Sequence, residues 1–316
     1  MRDPAHPHPS DVNAGALAAF DWPIPTGAPT RGTVLLVHSL GEHMGRYFHL
    51  AKQLNDWGFS VRGYDQYGHC ASPGIRGTLP SDDRLLSDLV AVIDDTRASM
   101  DDRMPLIVLG HAVGGLVAAR LVSLKLRQVD ALVLSSPALQ LKLGALRGTL
   151  VNSLHRFAPQ ARMGHGRQLN GLSHDPQLLE SYRQDPLVHD RMSLRLAHFI
   201  TSAGPAVLAL AKQWSVPTLL LYAGQDNMVG IDGSTAFARA APADVVTSQL
   251  FPMHYHDLFN ELDNAPVFEA LGRWLCERFA PRTLDSSRNV FASAGSSTWH
   301  PTTFEPATAF DAALLI

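Results

Sequence analysis

The amino-acid sequence predicts an α/β fold: a mostly parallel central sheet with helices on both faces and a helical cap insertion. Three observations predict it. Nearly continuous Val and Leu runs recur at GTVLLVHSL (32–40), LIVLG (106–110), ALVLSS (131–136) and TLLLYAG (218–224), the pattern of parallel strands buried on both faces. Segments of helical period lie between them, and strand alternating with helix makes a sheet covered on both sides. The alternation stops after Pro137 and resumes near 205.

Taken in order, residues 1–15 (MRDPAHPHPSDVNAG) are rich in Pro and His, lack the apolar centre of a signal peptide, and are expected to be a flexible N-terminus. The core is expected over 16–137 and 205–281. After the 32–40 strand, RYFHLAKQLNDWG (46–58) reads as a helix ended by Gly58. FSVRGYD (59–65) is a weaker strand. LLSDLVAVIDDTRASM (85–100) and GGLVAARLVSLKL (114–126) read as helices around the 106–110 strand. Segment 138–204 shows only short helical patterns among Gly, His and Pro. An insertion of that size lies over the C-terminal edge of the strands, where ligands bind, so it is assigned as a cap or lid. Beyond about Phe279 the composition turns to Ser, Thr, Ala and Pro, and 282–316 is expected to be a poorly packed tail.

The chain has 316 residues, 46% of them apolar and 17% charged, which suits one large domain or a core with an insertion. Lys and Arg number 26 against 29 Asp and Glu, a net charge of −3, with no basic block; nucleic acid is excluded as a partner class. The two cysteines, Cys70 and Cys276, are far apart, which argues against a disulfide framework and for a reducing compartment. No apolar run reads as long enough to span a bilayer. The expected location is cytoplasmic, with peripheral membrane contact through the cap left open.

The chemistry is concentrated in LIVLGHAVGG (106–115). A buried strand, a Gly, one residue, a central residue, one more, and two glycines before a helix are the outline of a nucleophile elbow, Gly-x-Ser-x-Gly. The elbow lifts its central side chain above the sheet in a strained turn, so its neighbours must be small. Ala112 stands where the serine belongs. In this arrangement the acid and then the histidine follow in chain order. LLLYAGQDNMV puts Asp226 just past a buried strand, and QLFPMHYHDLFNE puts His256 after another short one, with His254 as its rival. An imidazole takes and returns the nucleophile's proton, and a carboxylate fixes its tautomer. An oxyanion needs backbone donors, one from the residue after the nucleophile and one from a loop after an earlier strand. Val113 and Leu40, the latter in VHSLGEH (37–43), are the candidates. The 15 histidines show no metal-ligand spacing, and no metal or organic cofactor is expected.

With these residues in view, the chain resembles the monoacylglycerol lipase and lysophospholipase group of α/β-hydrolases (serine aminopeptidase S33-type). The matches are HSLGEHMGRY (38–47), YDQYGHCASPG (64–74), GHAVGG (110–115), SYRQDPLVH (181–189), AGQDNMV (223–229) and YHDLFNE (255–261), in the family's order from about Thr33 to about Phe279. The resemblance implies Asp226 and His256 as triad members, Leu40 and Val113 as oxyanion donors, and a cap from 138–204 that forms an apolar acyl tunnel. Leu141, Leu143, Leu146, Leu150, Val151 and Leu154 would suit an acyl chain or equally pack helices. Residues 1–15 and 282–316 fall outside it.

Three positions depart from the family's pattern. Ser39 replaces a glycine beside the oxyanion loop, with altered local stiffness as its expected effect. Cys70 replaces the middle glycine of Gly-His-Gly and is expected to be a small buried residue, since nothing adjacent lowers a thiol pKa. Ala112 replaces the nucleophile, and a methyl group cannot attack a carbonyl. The expectation is a serine carboxylic-ester hydrolase for small hydrophobic esters, in a nucleophile-to-Ala form that binds substrate and does not cleave it. The alternative is a natural non-catalytic binder of hydrophobic ligands on the same scaffold.

Overall fold

A computed structural model describes residues 10–12, 17–25, 27–140, 154–164 and 169–282. Its strands are β1 (Ser10–Val12), β2 (Leu17–Trp22), β3 (Gly32–Val37), β4 (Phe59–Tyr64), β5 (Leu106–His111), β6 (Ala131–Ser135), β7 (Arg162–Gly164), β8 (Arg191–Ser193), β9 (Thr218–Ala223) and β10 (Val246–Phe251). The α-helices described are α1 (Phe48–Asp56), α2 (Arg84–Ser99), α3 (Ala112–Ser123), α4 (Pro176–Gln184), α5 (Leu194–Leu210), α6 (Ile231–Ala240) and α7 (Ala265–Arg278).

Eight strands form one sheet in the order β1-β2-β4-β3-β5-β6-β9-β10. From β4 to β10 every pairing is parallel, and β1 and β2 add an antiparallel edge. The central strands read as continuous apolar runs because both faces are covered. In β3, Val34 and Leu36 join a core with Leu50 and Leu54 of α1 and Leu271 and Leu275 of α7. Leu35 and Val37 point the other way, into a core with Leu89 of α2, Leu116 and Val117 of α3, Ile200 and Val207 of α5 and Phe237 of α6. The period-2 alternation of a strand thus feeds two separate hydrophobic layers.

The structure departs from the sequence reading in several places. Ser10–Val12, inside the stretch read as a flexible N-terminus, pairs antiparallel with β2. Arg282, the first residue of the expected tail, exchanges backbone hydrogen bonds with Thr30 at 2.7 and 2.8 Å. Helix α5 runs straight through the 204/205 boundary with Pro205 inside it. It starts on Ser193, whose hydroxyl accepts from the Leu196 N–H. Its bare Gly204 lets it pass the Leu139 carbonyl, where a Cβ would lie 2.2 Å from the oxygen. Together with a short 3-10 extension, Leu194–Gln213 is 20 residues long with a mean hydropathy of 1.4, long and apolar enough to cross a bilayer, contrary to the sequence reading. Half of that window is buried, because the helix serves as core on one face of the sheet. Between β6 and β9 the described residues also hold a small two-stranded sheet, β7 with β8, which the apolar pattern could not show because its residues are mostly exposed. Leu141, Leu143, Leu146, Leu150 and Val151 lie outside the described residues; Leu154 is described and 41% exposed.

Candidate active site

The elbow is built as its glycines require. Strand β5 ends at His111 in extended backbone, Ala112 sits at φ 47°, and α3 begins there. A left-handed conformation costs a non-glycine residue roughly 1–2 kcal/mol, so tertiary contacts must hold it. Gly114 is what lets the turn close. A Cβ there would meet the Val37 and His38 carbonyl oxygens at 2.1 and 2.4 Å. The Ala112 carbonyl accepts from the Ala138 N–H at 2.9 Å, which ties the turn to the residue that opens the 138–204 segment. Ala112 itself is 2% exposed.

The structure brings Asp226 and His256 together. Both are buried, in the loops that follow β9 and β10 at the same sheet edge as the elbow. His256 donates from Nδ1 to Asp226 Oδ2 at 2.7 Å, which leaves Nε2 free as an acceptor. Asp226 Oδ1 accepts from the Met228 and Val229 N–H groups at 2.8 and 2.9 Å. Burial alone would raise the Asp226 pKa, but the His256 charge and these hydrogen bonds hold it below the usual carboxylate range. Burial alone would lower His256; the Asp226 carboxylate outweighs it and raises the imidazole pKa. The ring lies 4.9 Å, centroid to centroid, from His111, the neighbour of Ala112. His256 is held from behind as well: its carbonyl accepts from the Ser136 hydroxyl at 2.8 Å, and its N–H donates to Gly171. His254 instead places Nε2 2.7 Å from the Asp263 carbonyl, away from any carboxylate partner of this kind.

Val113 and the 38–43 loop also meet. The Val113 N–H points at the Ser39 hydroxyl, 3.4 Å away, and Leu40 is half-buried beside it with its side chain against the core. The loop is fixed by buried polar groups that the sequence reading did not assign. His38 Nε2 accepts from the Gln66 N–H at 2.9 Å while its Nδ1 donates to the Ser39 carbonyl at 2.6 Å. His69 Nε2 accepts from the Gly41 N–H at 3.0 Å, and its Nδ1 donates to Tyr67. Each ring therefore needs its neutral tautomer, and burial lowers both pKa values. Glu42 is the hub. Its carboxylate accepts from the Ser39 N–H at 2.6 Å, the Tyr47 hydroxyl at 2.5 Å and the Tyr182 hydroxyl at 2.8 Å. Burial pushes Glu42 up, and His111, His38 and these donors more than reverse that. Tyr182 belongs to α4, so the segment between β6 and β9 docks on this loop. Arg46 stacks on the Tyr182 ring at 3.4 Å, Asp185 pairs with His43 at 2.9 Å and Arg46 at 3.3 Å, and His189 donates from its backbone to Gly41. HSLGEHMGRY and SYRQDPLVH carried that signal, as two charged motifs too far apart for any local rule to pair.

Cys70 takes φ 32°, the left-handed region that suits the glycine it replaces. It is half-buried, and burial together with Asp65 pushes its thiol up to about 12, so it is no thiolate nucleophile. Among the described residues, no group of three His, Cys, Asp or Glu could hold a metal ion.

Comparison with known proteins agrees with this architecture. The serine aminopeptidase S33 family profile matches residues 28–263. A monoacylglycerol lipase of Mycolicibacterium smegmatis is 26% identical over 83% of this chain and 93% of its own length. An uncharacterized abhydrolase domain-containing protein of Dictyostelium discoideum is 28% identical over 84% of this chain, which spans only 28% of that protein. The crystal structure of the Paleococcus ferrophilus monoacylglycerol lipase superimposes with a TM-score of 0.73 at 30% identity, over 82% of this chain and 98% of that one. The parallel sheet, the glycine-lined turn and the profile match together place this chain in the serine aminopeptidase S33 family of α/β-hydrolases, among relatives of monoacylglycerol lipase type.

Proposed function

We propose that this chain is a serine carboxylic-ester hydrolase of monoacylglycerol or lysophospholipid type, in a form that binds its ester without cleaving it because Ala112 occupies the nucleophile position. One observation carries the reading. Ala112 holds the left-handed φ of a nucleophile elbow beside a buried Asp226–His256 pair whose Nε2 is free to accept a proton. In an Ala112→Ser form, His256 takes the serine proton as Oγ attacks the ester carbonyl. The Leu40 and Val113 N–H groups hold the oxyanion, and Asp226 stabilises the imidazolium. The tetrahedral intermediate collapses as His256 protonates the departing alcohol. Water, deprotonated by the same imidazole, then releases the acid.

Segment 138–204 acts in this reading as the cap over the acyl chain. Phe157, 87% exposed, with Leu154, Met163 and Leu187 also outward on that segment, supports contact of the cap with a lipid surface. A non-catalytic binder is the second reading, and Ala112 itself favours it. Both readings require ester binding by the chain as it stands. Incubation with 1-monodecanoylglycerol, followed by mass spectrometry of the retained ligand, is expected to return the ester intact at saturable stoichiometry. Release of decanoate, or no retention, would contradict the proposal.

A further inference from the structure

We propose that the Ser39 hydroxyl is a third, side-chain donor to the oxyanion position, beside the Leu40 and Val113 N–H groups. The inference rests on the ester-hydrolase reading of this site. The family's pattern has glycine at this position and so offers backbone donors alone.

The geometry starts from Val113. Its N–H is directed at Ser39 Oγ across 3.4 Å, longer than the 2.7–3.2 Å of a well-formed N–H···O bond. The hydroxyl therefore accepts only a long, weak hydrogen bond from that N–H, one that an arriving anionic oxygen can replace. An oxyanion bonded to the Val113 N–H at about 2.9 Å, set to the side of Oγ, lies within hydrogen-bond reach of the hydroxyl. A serine hydroxyl has one rotatable O–H donor and two acceptor sites. An N–H cannot accept, so the Ser39 proton is not spent on Val113 and is available to an oxygen bound between them.

The hydroxyl is also held in place. The Ser39 N–H donates to Glu42 Oε1 at 2.6 Å, and the Ser39 carbonyl accepts from His38 Nδ1 at 2.6 Å. Glu42 is in turn fixed by Tyr47 and Tyr182. Both peptide groups flanking the Ser39 side chain are pinned, and only χ1 and the O–H rotor remain free. Donors fixed before charge develops cost no reorganisation when it does, which is how such donors act on a transition state. Loss of one main oxyanion donor typically lowers kcat by about 100- to 1,000-fold. A third donor sharing the oxygen should count for less, about 10- to 100-fold.

The Ala112 chain permits a direct test, because a carboxylate presents an oxyanion without chemistry. Calorimetric titration at pH 7.5 would compare decanoate with 1-decanol in the parent, Ser39→Ala and Ser39→Gly. The expected result is a Kd for decanoate raised about tenfold in both variants, with 1-decanol unchanged. Equal or tighter decanoate binding in the variants would overturn the proposal and make the hydroxyl a competitor for the Val113 N–H. Equal weakening of 1-decanol, or no decanoate binding by the parent, would overturn it too. The ester-hydrolase reading is judged separately, by turnover of p-nitrophenyl decanoate in Ala112→Ser. Where that turnover is present, adding Ser39→Ala should lower kcat about 10- to 100-fold at unchanged KM; an unchanged kcat would overturn the third donor alone.

Discussion

Replacing Asp226 with asparagine exchanges one oxygen for a nitrogen at the group that holds His256. Asp226 accepts hydrogen bonds from Met228, Val229 and His256. An amide can keep its oxygen on the two backbone N–H groups, and its NH2 then faces His256 Nδ1–H, so the imidazole loses its acceptor. Hydrogen bonds to a charged group contribute about 1.5–3 kcal/mol, and breaking a buried ion pair costs about 3–5 kcal/mol when the remaining charge is left uncompensated. The folded His256 pKa is raised above 6.5. Its share of the pair's stability is therefore fully present below the unfolded value and lost as pH rises through the folded one. The folded Asp226 pKa is depressed below 3.8. Its contribution is present above the unfolded value and lost only as pH falls through the folded one. At pH 6 both contribute, so Asp226→Asn should cost about 3 kcal/mol; at pH 9 the imidazole is increasingly neutral and the cost should fall by about 1 kcal/mol. Urea unfolding of the Ala112 chain at the two pH values, followed by tryptophan fluorescence, measures both numbers. An equal loss at pH 6 and pH 9, or a loss below about 0.5 kcal/mol, would refute the claim that this is a buried charge-assisted pair.

Further expectations concern the same neighbourhood. In an Ala112→Ser background, His256→Ala should lower kcat on a p-nitrophenyl ester by on the order of a millionfold, while His254→Ala should leave most activity; the reverse ranking would show that the wrong histidine had been chosen. Gly114→Ala places a Cβ 2.1 Å from the Val37 oxygen, backbone against backbone, and should lower stability by about 3 kcal/mol or more, read as a shifted urea midpoint. Tyr182→Phe strips one donor from the buried Glu42 carboxylate and should cost about 1–3 kcal/mol in the same assay; an unchanged midpoint would mean that α4 is not anchored through this bond.

Where one residue's chemistry and its chain neighbours decide the structure, the sequence was readable. Strands β3, β5, β6 and β9 announce themselves because burial on both faces demands unbroken Val and Leu. Asp226 stands out because it follows such a strand, and His256 because it comes after a further short strand in the expected chain order. The β1–β2 edge was missed because LAAFDW is Ala-rich and only its antiparallel partner makes it a strand. The 204/205 boundary drawn from the strand–helix alternation is one that α5 crosses, Pro205 included, since packing against the core outweighs one lost helical hydrogen bond. The Glu42 hub was illegible for a different reason: Tyr182 lies 140 positions away, and no local pattern pairs an acid with a phenol at that separation. The direction of the Ser39 hydroxyl likewise exists only once the loop and the elbow have met.

The most direct test of the central claim is pre-steady-state kinetics of Ala112→Ser with a p-nitrophenyl ester. A poised elbow, a buried Asp226–His256 pair and the donors of Leu40 and Val113 predict a burst of p-nitrophenol close to one equivalent per chain, followed by slower deacylation. The unaltered Ala112 chain should give no burst. An Ala112→Ser protein that folds and binds the ester yet releases no p-nitrophenol would contradict the account and leave the scaffold a binder.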